Sequence, residues 1–488
     1  MDEMRGWRGQ KVIIIGAGRQ GVALARYLVR QGAHVILNDR LPLEALAKAR
    51  QSLEGLEVEW VCGGHPLEVL EGADWVCPSG GVPLDIPLIV EAKRRDIPLT
   101  NDSQIFLENA PCRVIGITGS AGKTTTVSLV GSIINRFISV IGHGGENHQG
   151  FNVYLNPYRF PRKVWTGGNI GNPLITLLEE MSPEDLALME LSSFQLEIMT
   201  RSPNIAAVLN ITPNHLDRHG TMEAYVAAKA RILDFQCSDD IAVLNRDDAG
   251  AWSLKERIRG EMITFGLSQP SANQVGTFVR EDRILIREQE RSIPVMNRSE
   301  IWLRGEHNLV NVLAACAIAY AAGVPPQFMH GGIASFKGIP HRLEFVRSWG
   351  GADWYNDSIA TAPERSMAAI RSFEEPLILL AGGRDKNLPW EEFAALVCRR
   401  VGHLVLFGES AEKIAQIVDS YQKQNRTTEP RPHSVTLCRN LKEAVRHAAN
   451  LVTPGSVVLL SPGGTSFDEF HDFEERGEMF KKWVMELP

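Results

Sequence analysis

One pattern constrains the fold more than any other feature of the sequence: short apolar runs that lead directly into glycine-rich turns and then into helical periodicity. The run Arg113–Thr118 passes straight into the turn Gly119–Thr125, and Thr126–Ile134 follows with helical spacing of apolar residues. A similar unit opens the chain, where Lys11–Ile15 precedes the turn Gly16–Gly21. Strands that alternate with helices favour parallel sheets covered by helices. The pattern therefore predicts an α/β protein.

The same pattern recurs in three segments of the chain. A length of 488 residues has room for about three domains of ordinary size. We predict a Rossmann-like domain at residues 1–101, a parallel sheet of the P-loop ATPase type at 102–338 and a second Rossmann-like domain at 339–488. An antiparallel edge is expected between Asn273 and Ile301, and a helix over Gly305–Ala321. The polar, glycine-rich stretch Gly142–Pro161 is predicted to be a long loop or insertion.

Composition and charge exclude several classes of protein. Apolar residues make up 44% of the chain and charged residues 22%, as in ordinary globular proteins. No apolar run approaches the ~20 residues of a membrane span, and the polar, acid-bearing start is unlike a signal peptide. The net charge of −7 argues against nucleic acid as a partner. Seven cysteines without a C-x-x-C pair give no disulfide or zinc pattern, so a cytoplasmic protein is expected.

The second glycine turn has the chemistry of a phosphate-binding loop. Gly119 and Gly122 allow backbone N–H groups to curl around a polyphosphate at the start of a helix. Lys123 would supply a positive charge, and the Thr124 hydroxyl a ligand for Mg²⁺. The strict spacing G-x-x-x-x-G-K-[ST] is not met, because Ile117 stands five residues before Gly122. The alternative interpretation is an ordinary glycine-rich turn between strand and helix.

The first glycine turn matches the dinucleotide-binding fingerprint. Gly16, Gly18 and Gly21 have the G-x-G-x-x-G spacing, and Asp39 follows at about the expected distance of ~20 residues. The motif is compatible with NAD or FAD, with another nucleotide, or with a purely structural turn. A chain with both turns is therefore an NAD-dependent oxidoreductase with an ATP domain, or a ligase that binds ATP and a nucleotide-linked substrate.

Several polar residues fall where the predicted sheet would bring them together. Glu190 ends a buried strand, where a phosphoryl-transfer enzyme needs a Mg²⁺ ligand. His215 follows the next strand, Lys229 lies in a helix with small residues, and Asn308 and Asn311 share one helix face. Each has a simpler interpretation: a surface glutamate, a structural histidine, a solvated lysine and a helix surface.

The motifs together resemble those of the Mur ligases, the ATP-dependent amino-acid-adding enzymes of peptidoglycan synthesis. The matching stretches, in family order from residue 118 to 477, are TGSAGKTT, GGNIGNP, ELSSFQLE, NHLDRHG, AAKARI, GEHNLVNVLAA, PHRLE, NDSIAT and SFDEFHDFEERG. The resemblance is strongest to the members that add glutamate to UDP-N-acetylmuramoyl-L-alanine. It implies an acyl-phosphate intermediate and release of ADP and phosphate.

The resemblance also implies a role for individual residues. The catalytic group would be Lys123, Asn169, His215 and Lys229. The ATP-binding group would be Gly119, Gly122, Lys123, Thr124, Thr125, Asn308, Asn311, Arg342 and Asp357. Two Mg²⁺ ions would be held by Thr124, Glu190, His215 and a carbamylated Lys229. The UDP-substrate group would be Gly16, Gly18, Gly21, Asp39, Arg40, Ser79 and Gly80. The incoming glutamate would be held by Thr361, Lys386, Ser466 and Phe473.

One departure from the family pattern concerns the amino acid that is added. Ile359 stands after Asp357-Ser358, where D-glutamate ligases of the family commonly carry a lysine. D-glutamate is the expected substrate, and L-glutamate is the alternative. The partners implied are small molecules only, with no membrane insertion, and the chain is expected to be a monomer. A folylpolyglutamate-synthase-like ligase and a non-catalytic nucleotide switch are the remaining alternatives.

Overall fold

The computed structural model describes residues 6–142, 161–169, 171–425 and 432–488. It confirms the predicted class: three parallel-rich sheets with helices packed on them. The predicted loop Gly142–Pro161 lies, apart from its two end residues, outside the described residues. The chain forms two compact units, residues 1–301 with 306–336 and residues 302–305 with 337–488. The boundary at residue 336 falls in the turn-rich passage after the long alanine-rich helix.

The first sheet is built entirely from parallel strands in the order β3-β2-β1-β4. Its strands are β1 (Lys11–Ile15), β2 (His34–Asp39), β3 (Val58–Cys62) and β4 (Trp75–Pro78). Its helices are α1 (Arg19–Arg30), α2 (Ala47–Ser52), α3 (Pro87–Arg94) and α4 (Asp102–Asn109). The apolar residues of β1 are fully buried, as expected for the centre of a parallel sheet.

The second sheet has nine strands in the order β13-β12-β11-β10-β9-β8-β5-β7-β6. The strands are β5 (Arg113–Thr118), β6 (Val164–Gly168), β7 (Leu186–Glu190), β8 (Ile205–Val208), β9 (Ile241–Asn245), β10 (Glu261–Phe265), β11 (Val275–Arg280), β12 (Arg283–Glu288) and β13 (Arg291–Asn297). The helices are α5 (Lys123–Gly142), α6 (Ser193–Leu196), α7 (Leu216–His219), α8 (Met222–Asp234), α9 (Ala249–Trp252), α10 (Glu306–Ala321) and α11 (Met329–Ala334). Strands β11 to β13 pair antiparallel, which confirms the antiparallel edge predicted from the alternating sequence.

The third sheet forms the centre of the second compact unit, with strand order β14-β15-β19-β16-β17-β18. Only β14 pairs antiparallel. The strands are β14 (Glu344–Trp349), β15 (Ala352–Asn356), β16 (Leu377–Gly382), β17 (Val401–Phe407), β18 (Ser434–Leu437) and β19 (Val457–Gly463). The helices are α12 (Pro363–Ile370), α13 (Glu391–Arg400), α14 (Ala411–Gln424), α15 (Leu441–Ala449) and α16 (Phe473–Met485).

Helix α5 is the longest of the helices that cover the second sheet. Within it, Lys123–Ile141 is long and apolar enough to cross a membrane by length and composition. In the fold, half of that window is buried, and α5 packs against α10, α11 and strands β5, β6 and β7. The apolar sequence of α5 is thus accounted for by packing in the core.

The sequence predicts a helix from Val22 to Arg30 and a strand from His34 to Leu37, and in the structure both elements are longer. Helix α1 begins at Arg19, three residues before the expected start at Val22, because Gly18 already takes the N-cap position inside the glycine turn. Strand β2 continues to Asp39, two residues beyond the expected end at Leu37, since its pairing with β3 extends through Asp39 and Cys62.

Candidate functional site

The second glycine turn lies between strand β5 and helix α5. Gly122 has φ +83°, in the left-handed region that favours glycine. A Cβ at this position would lie 2.3 Å from Oδ1 of Asn311, so the turn also needs glycine for lack of space. The turn is thus closely packed against α10.

Two lysines converge on one carbonyl oxygen of this turn. Nζ of Lys123 donates to the Gly119 carbonyl over 2.7 Å, and Nζ of Lys229 donates to the same oxygen over 2.9 Å. The Lys229 side chain is only 1% exposed, so the interpretation as a solvated helix lysine is wrong. Burial, together with the nearby charge of Lys123, lowers the pKa of Lys229 to about 7, while Glu190 acts in the opposite direction.

Glu190 lies at the end of β7 and is 2% exposed, so it is not a surface glutamate. Its Oε2 accepts a hydrogen bond of 2.9 Å from the Thr124 hydroxyl, and its Oε1 accepts one of 3.1 Å from Nδ2 of Asn169. The backbone N–H of Asn169 donates to the Glu190 carbonyl over 3.0 Å. The structure therefore brings together Thr124, Asn169 and Glu190 at the opening of the phosphate turn.

The oxygen atoms of Thr124 and Glu190 are of the type that Mg²⁺ prefers. Within the described ranges, no group of three or more His, Cys, Asp or Glu side chains is arranged to hold a metal ion. An ion at this place would therefore take further ligands from a bound polyphosphate and from water, as Mg²⁺ usually does.

His215 occupies the N-cap position of α7 with a left-handed backbone, φ +53°. Its ring lies 5.2 Å from the ring of Phe194 in an edge-to-face arrangement. Phe194 belongs to α6, which begins three residues after Glu190. The structure thus places His215 against the segment that leaves the Glu190 end of the sheet.

The two asparagines of α10 adjoin the phosphate turn. Asn311 is buried, and its Nδ2 donates to Oδ1 of Asn308 over 3.1 Å. Oδ1 of Asn311 also accepts a long hydrogen bond of 3.5 Å from the Thr126 hydroxyl. A simple helix-surface role is therefore excluded for Asn311.

The first glycine turn has a different chemical lining. Gly16 has φ +99°, and its carbonyl accepts a 3.1 Å hydrogen bond from the Ser79 hydroxyl. A Cβ on Gly21 would lie 1.9 Å from the same carbonyl oxygen. The Asp39 carboxylate accepts hydrogen bonds from the backbone N–H of Ala17, 2.7 Å away, and of residue 41, 2.9 Å away. The turn is therefore held by an acceptor at the end of β2, Asp39, and by a donor just after β4, Ser79.

Arg40 and Gly80 complete the set predicted for this turn. The Arg40 side chain is exposed next to Asp39. A Cβ on Gly80 would lie 3.4 Å from Oε1 of Gln20 in α1, so Gly80 adjoins the helix that leaves the turn. Both residues thus border the first turn.

Sequence reasoning missed the side chains that join the segments after β4 to helices α6 and α7. The guanidinium of Arg218 in α7 donates to the carbonyls of Gly81 and Val82, over 3.2 and 3.1 Å, just after β4. Nδ2 of Asn101 donates to the Gln195 carbonyl over 2.8 Å. Arg218 lies within the NHLDRHG motif, but nothing in that motif indicates its partners.

The remaining predicted residues lie in the second compact unit. Asp357 is buried after β15, and burial raises the pKa of its carboxyl group to about 7 although Ser461, 2.8 Å away, donates to it. Arg342 is one of the positive charges that act in the opposite direction on this pKa. Nζ of Lys386 donates to the Thr361 hydroxyl over 3.4 Å.

Two further residues of this group lie near α16. Ser466 is buried in the loop that follows β19. Phe473 is the first residue of α16, and its ring lies 6.1 Å from the ring of His341 in an edge-to-face arrangement. The predicted ATP, metal and UDP residues of the first unit and the predicted glutamate residues of the second unit are thus each clustered within their own unit.

Comparison with known proteins assigns the whole chain to one family. Residues 10–101 match the Mur ligase MurD-like N-terminal domain, residues 117–319 the Mur ligase middle domain, and residues 341–464 the glutamate ligase domain of Mur ligases. A UDP-N-acetylmuramoylalanine--D-glutamate ligase of Symbiobacterium thermophilum is 37% identical over 98% of both chains. The chain belongs to the Mur ligase family. The predicted resemblance is thereby confirmed.

Other Mur ligases agree in sequence and fold. The UDP-N-acetylmuramoylalanine--D-glutamate ligase of Acidobacterium capsulatum is 38% identical over 98% of this chain and 96% of its own length. A crystal structure of MurF from Acinetobacter baumannii, 19% identical, has a TM-score of 0.55 and covers 100% of this chain and 93% of its own. At that identity the structural likeness supports the Mur ligase fold alone.

Proposed function

We propose that this chain joins glutamate to UDP-N-acetylmuramoyl-L-alanine at the expense of ATP, releasing ADP and phosphate. The observation that carries the proposal is the phosphate turn, where two lysine amino groups meet the Gly119 carbonyl beside the Thr124–Glu190 pair. The names of the relatives, matched over nearly the full chain, support D-glutamate. L-glutamate is the alternative, because Ile359 replaces a lysine. Family membership favours a ligase over an NAD-dependent oxidoreductase.

A free carboxylate resists attack by an amine, because its charge repels nucleophiles and oxide is a poor leaving group. Transfer of the γ-phosphoryl group of ATP to the substrate carboxylate gives an acyl phosphate with phosphate as the leaving group. The neutral amine of glutamate attacks the carbonyl carbon, and the tetrahedral intermediate collapses to the amide and phosphate. Lys123 would shift its hydrogen bonds from the turn to the β- and γ-phosphates and offset their charge. Asn169 would orient the γ-phosphate from its place beside Glu190.

The side chains at the turn fit a Mg²⁺ ion. Thr124 and Glu190 would hold one ion, and the family pattern adds a second ion held by His215 and a carbamylated Lys229. Bound Mg²⁺ would stabilise the charge that develops on the transferring phosphoryl group. The donor set is suitable because the Thr124 hydroxyl and the Glu190 carboxylate already lie within 2.9 Å of each other.

Carbamylation of Lys229 is supported by the surroundings of its amino group. Only a neutral amine reacts with carbon dioxide, and burial lowers the pKa of Lys229 to about 7. A substantial neutral fraction is therefore present at neutral pH. The resulting carbamate would replace a buried positive charge by a negative one next to Lys123.

The other predicted residues complete the proposed sites. The nucleotide of ATP would lie against Gly119, Gly122, Thr125, Asn308, Asn311, Arg342 and Asp357. The UDP moiety would lie at the first turn, against Gly16, Gly18, Gly21, Asp39, Arg40, Ser79 and Gly80. Glutamate would be held by Thr361, Lys386, Ser466 and Phe473.

We propose a cytoplasmic monomer with domains at residues 1–101, 102–338 and 339–488 and with small molecules as its partners.

A paired assay tests the proposed function. ADP release from ATP and Mg²⁺ is measured with UDP-N-acetylmuramoyl-L-alanine and either D- or L-glutamate, and with each substrate omitted in turn. ADP formation that requires the UDP substrate and one glutamate enantiomer is expected. Absence of amino-acid-dependent ADP with both enantiomers would reject the proposal, and tight ATP binding without turnover would favour a nucleotide switch.

A further inference from the structure

Arg476 is a fully buried arginine in the first turn of α16, with 0% of its surface exposed. Its Nε donates to the Ser358 hydroxyl over 3.0 Å, and its Nη2 donates to the Ser358 carbonyl over 2.8 Å. Its Nη1 donates to the Gly464 carbonyl over 3.1 Å. The guanidinium thus binds the backbone of two separate loops with a planar fork of donors.

The guanidinium also adjoins a third loop and its own helix start. A Cβ on Gly383 would lie 3.0 Å from Nη1 of Arg476, so the loop after β16 passes directly against it. The Ser358 hydroxyl, which accepts from Arg476, donates to the Phe473 carbonyl over 2.8 Å. Four chain segments of the second unit therefore meet at one side chain.

Each of these segments carries one residue of the proposed glutamate subsite. Thr361 follows Ser358 by three residues, and Lys386 follows Gly383 by three. Ser466 follows Gly464 by two residues, and Phe473 is itself one of the partners in the network. The loops after β16 and β19 are further joined by mutual hydrogen bonds of 2.8 Å between the backbones of Arg384 and Thr465.

Burial of a charged guanidinium is costly, and an apolar side chain of similar volume is often at least as good for stability. The bonds of Arg476 fix backbone carbonyls in loops, not the strands of the core. We propose that Arg476 is a positioning residue that fixes the relative positions of the four segments of the glutamate subsite. This proposal rests on the proposed function. Arg476 acts through Ser358, Gly464 and the loop at Gly383, without touching the substrate.

The test compares Arg476→Lys with the wild type and with a control arginine of the same unit. A lysine keeps the charge but cannot reproduce the planar fork. We expect the KM for glutamate to rise by about tenfold or more, because loss of a hydrogen bond to a charged group has effects of this size. The KM values for ATP and for the UDP substrate stay within about twofold, as for most changes outside a binding site.

Arg400→Lys is the matched control. Arg400 also donates a guanidinium N–H to a backbone carbonyl, that of Phe373, but it lies before β17 at the opposite end of the strands. Its replacement is expected to leave the KM for glutamate unchanged. A change of Tm common to both variants would report stability, whereas a change of KM for glutamate confined to Arg476→Lys reports positioning.

Ser358→Ala keeps the proposal testable if Arg476→Lys does not fold. This variant removes the hydroxyl that joins Arg476 to the Phe473 carbonyl and leaves the arginine in place. We expect the KM for glutamate to rise about threefold to tenfold, because the hydroxyl accepts one hydrogen bond from the charged guanidinium and donates a neutral one to the Phe473 carbonyl. An unchanged KM for glutamate in folded Arg476→Lys, or in Ser358→Ala if the first variant is unfolded, would overturn the proposal. Lack of glutamate-dependent ADP release by the wild type would instead refute the proposed function.

Discussion

The two glycine turns of the first unit share a strand–turn–helix geometry but differ in the charge that surrounds them. At the first turn, the Asp39 carboxylate accepts the N–H of Ala17, and the Ser79 hydroxyl donates to the Gly16 carbonyl. At the second turn, the ammonium groups of Lys123 and Lys229 both donate to the Gly119 carbonyl. One turn is lined by an acid and a hydroxyl, and the other by two lysine amino groups beside the Thr124–Glu190 pair.

The comparison shows that turn geometry alone does not decide which part of a ligand is bound. A helix N-terminus favours anions in both cases. Lys123 adds a positive charge that a triphosphate would neutralise, whereas Asp39 presents a carboxylate that repels phosphate and suits a neutral base or ribose. The side chains around each turn thus favour ATP at the second turn and the nucleoside part of a ligand at the first.

Removal of the Lys123 side chain at the second turn should have the largest effect on activity. We expect Lys123→Ala to lower kcat/KM for ATP by about 10²- to 10³-fold, as when one preorganised donor to a developing charge is lost. Lys255→Ala, at an exposed lysine of the same unit, is the control and should leave kcat/KM unchanged. Steady-state ADP release measures both variants. Equal activities in the two variants would contradict the role given to Lys123.

The packing of the first turn can be tested with two of its own glycines. Gly21→Ala would place a Cβ 1.9 Å from the Gly16 carbonyl oxygen, whereas Gly18→Ala meets nothing within 4 Å. We expect Gly21→Ala to lower the free energy of unfolding by about 3 kcal/mol, at the upper end of overpacking effects. Gly18→Ala should change it by less than about 0.5 kcal/mol. Urea unfolding followed by circular dichroism compares the two, and similar stabilities would disprove the close packing.

Asp39 at the first turn should affect the KM for one substrate only. Asp39→Ala removes the acceptor of two backbone N–H groups and is expected to lower the free energy of unfolding by about 1 to 2 kcal/mol. The KM for the UDP-linked substrate should rise by about tenfold, as after loss of one good hydrogen bond, while the KM for ATP is unchanged. An equal rise in both KM values would show that the two turns are not functionally separate.

Titration of Lys229 at the second turn should make the free energy of unfolding depend on pH. Because burial lowers the pKa of Lys229 to about 7, the unfolded chain binds more protons than the folded chain between pH 7 and the ordinary lysine pKa of about 10.4. The free energy of unfolding contributed by Lys229 therefore rises with pH in this window, by at most about 1.4 kcal/mol per pH unit. Below pH 7, Lys229 is protonated in both the folded and the unfolded chain, so the full cost of burying its charge lowers the free energy of unfolding.

Lys229→Met provides the comparison, because it removes the titrating group and keeps a similar volume. Urea unfolding at pH 7.5 and 9.5, in buffers freed of carbon dioxide, should show the wild type gaining about 2 to 3 kcal/mol relative to the variant. If the difference in free energy of unfolding between wild type and variant is the same at the two pH values, the pKa of Lys229 is not lowered in the folded protein.

The sequence predicted the placement of both turns well but not the surroundings of their side chains. The glycine spacings and the apolar strands before them are local signals, and local signals locate a turn between strand and helix. Lys229 could not be recognised as buried, since small neighbours in its helix are compatible with either solvent or packing. Its burial results from the packing of α8 against the turn after β5, which is a long-range contact.

The same limit applies to the second unit and to the link between the turns. Arg476 and Arg218 lie within motifs that the sequence made conspicuous, yet an arginine is ordinarily exposed and its backbone partners come from distant segments. The antiparallel edge at β11 to β13 was predicted correctly, because alternation of apolar and polar residues is itself a local pattern. Sequence therefore locates elements and charged groups, and the tertiary fold decides which of them meet.

The bonds from Arg218 to the carbonyls of Gly81 and Val82 have a consequence for the size of the substrate. They tie the loop beside the proposed nucleotide anchor to α7, whose N-cap is His215, so the span from that anchor to the proposed reaction centre would be held constant. The site would therefore select a substrate that bridges this span by its length as well as by its functional groups. An analogue one phosphate shorter would keep its anchor and leave its carboxyl group out of reach of the acyl-transfer chemistry.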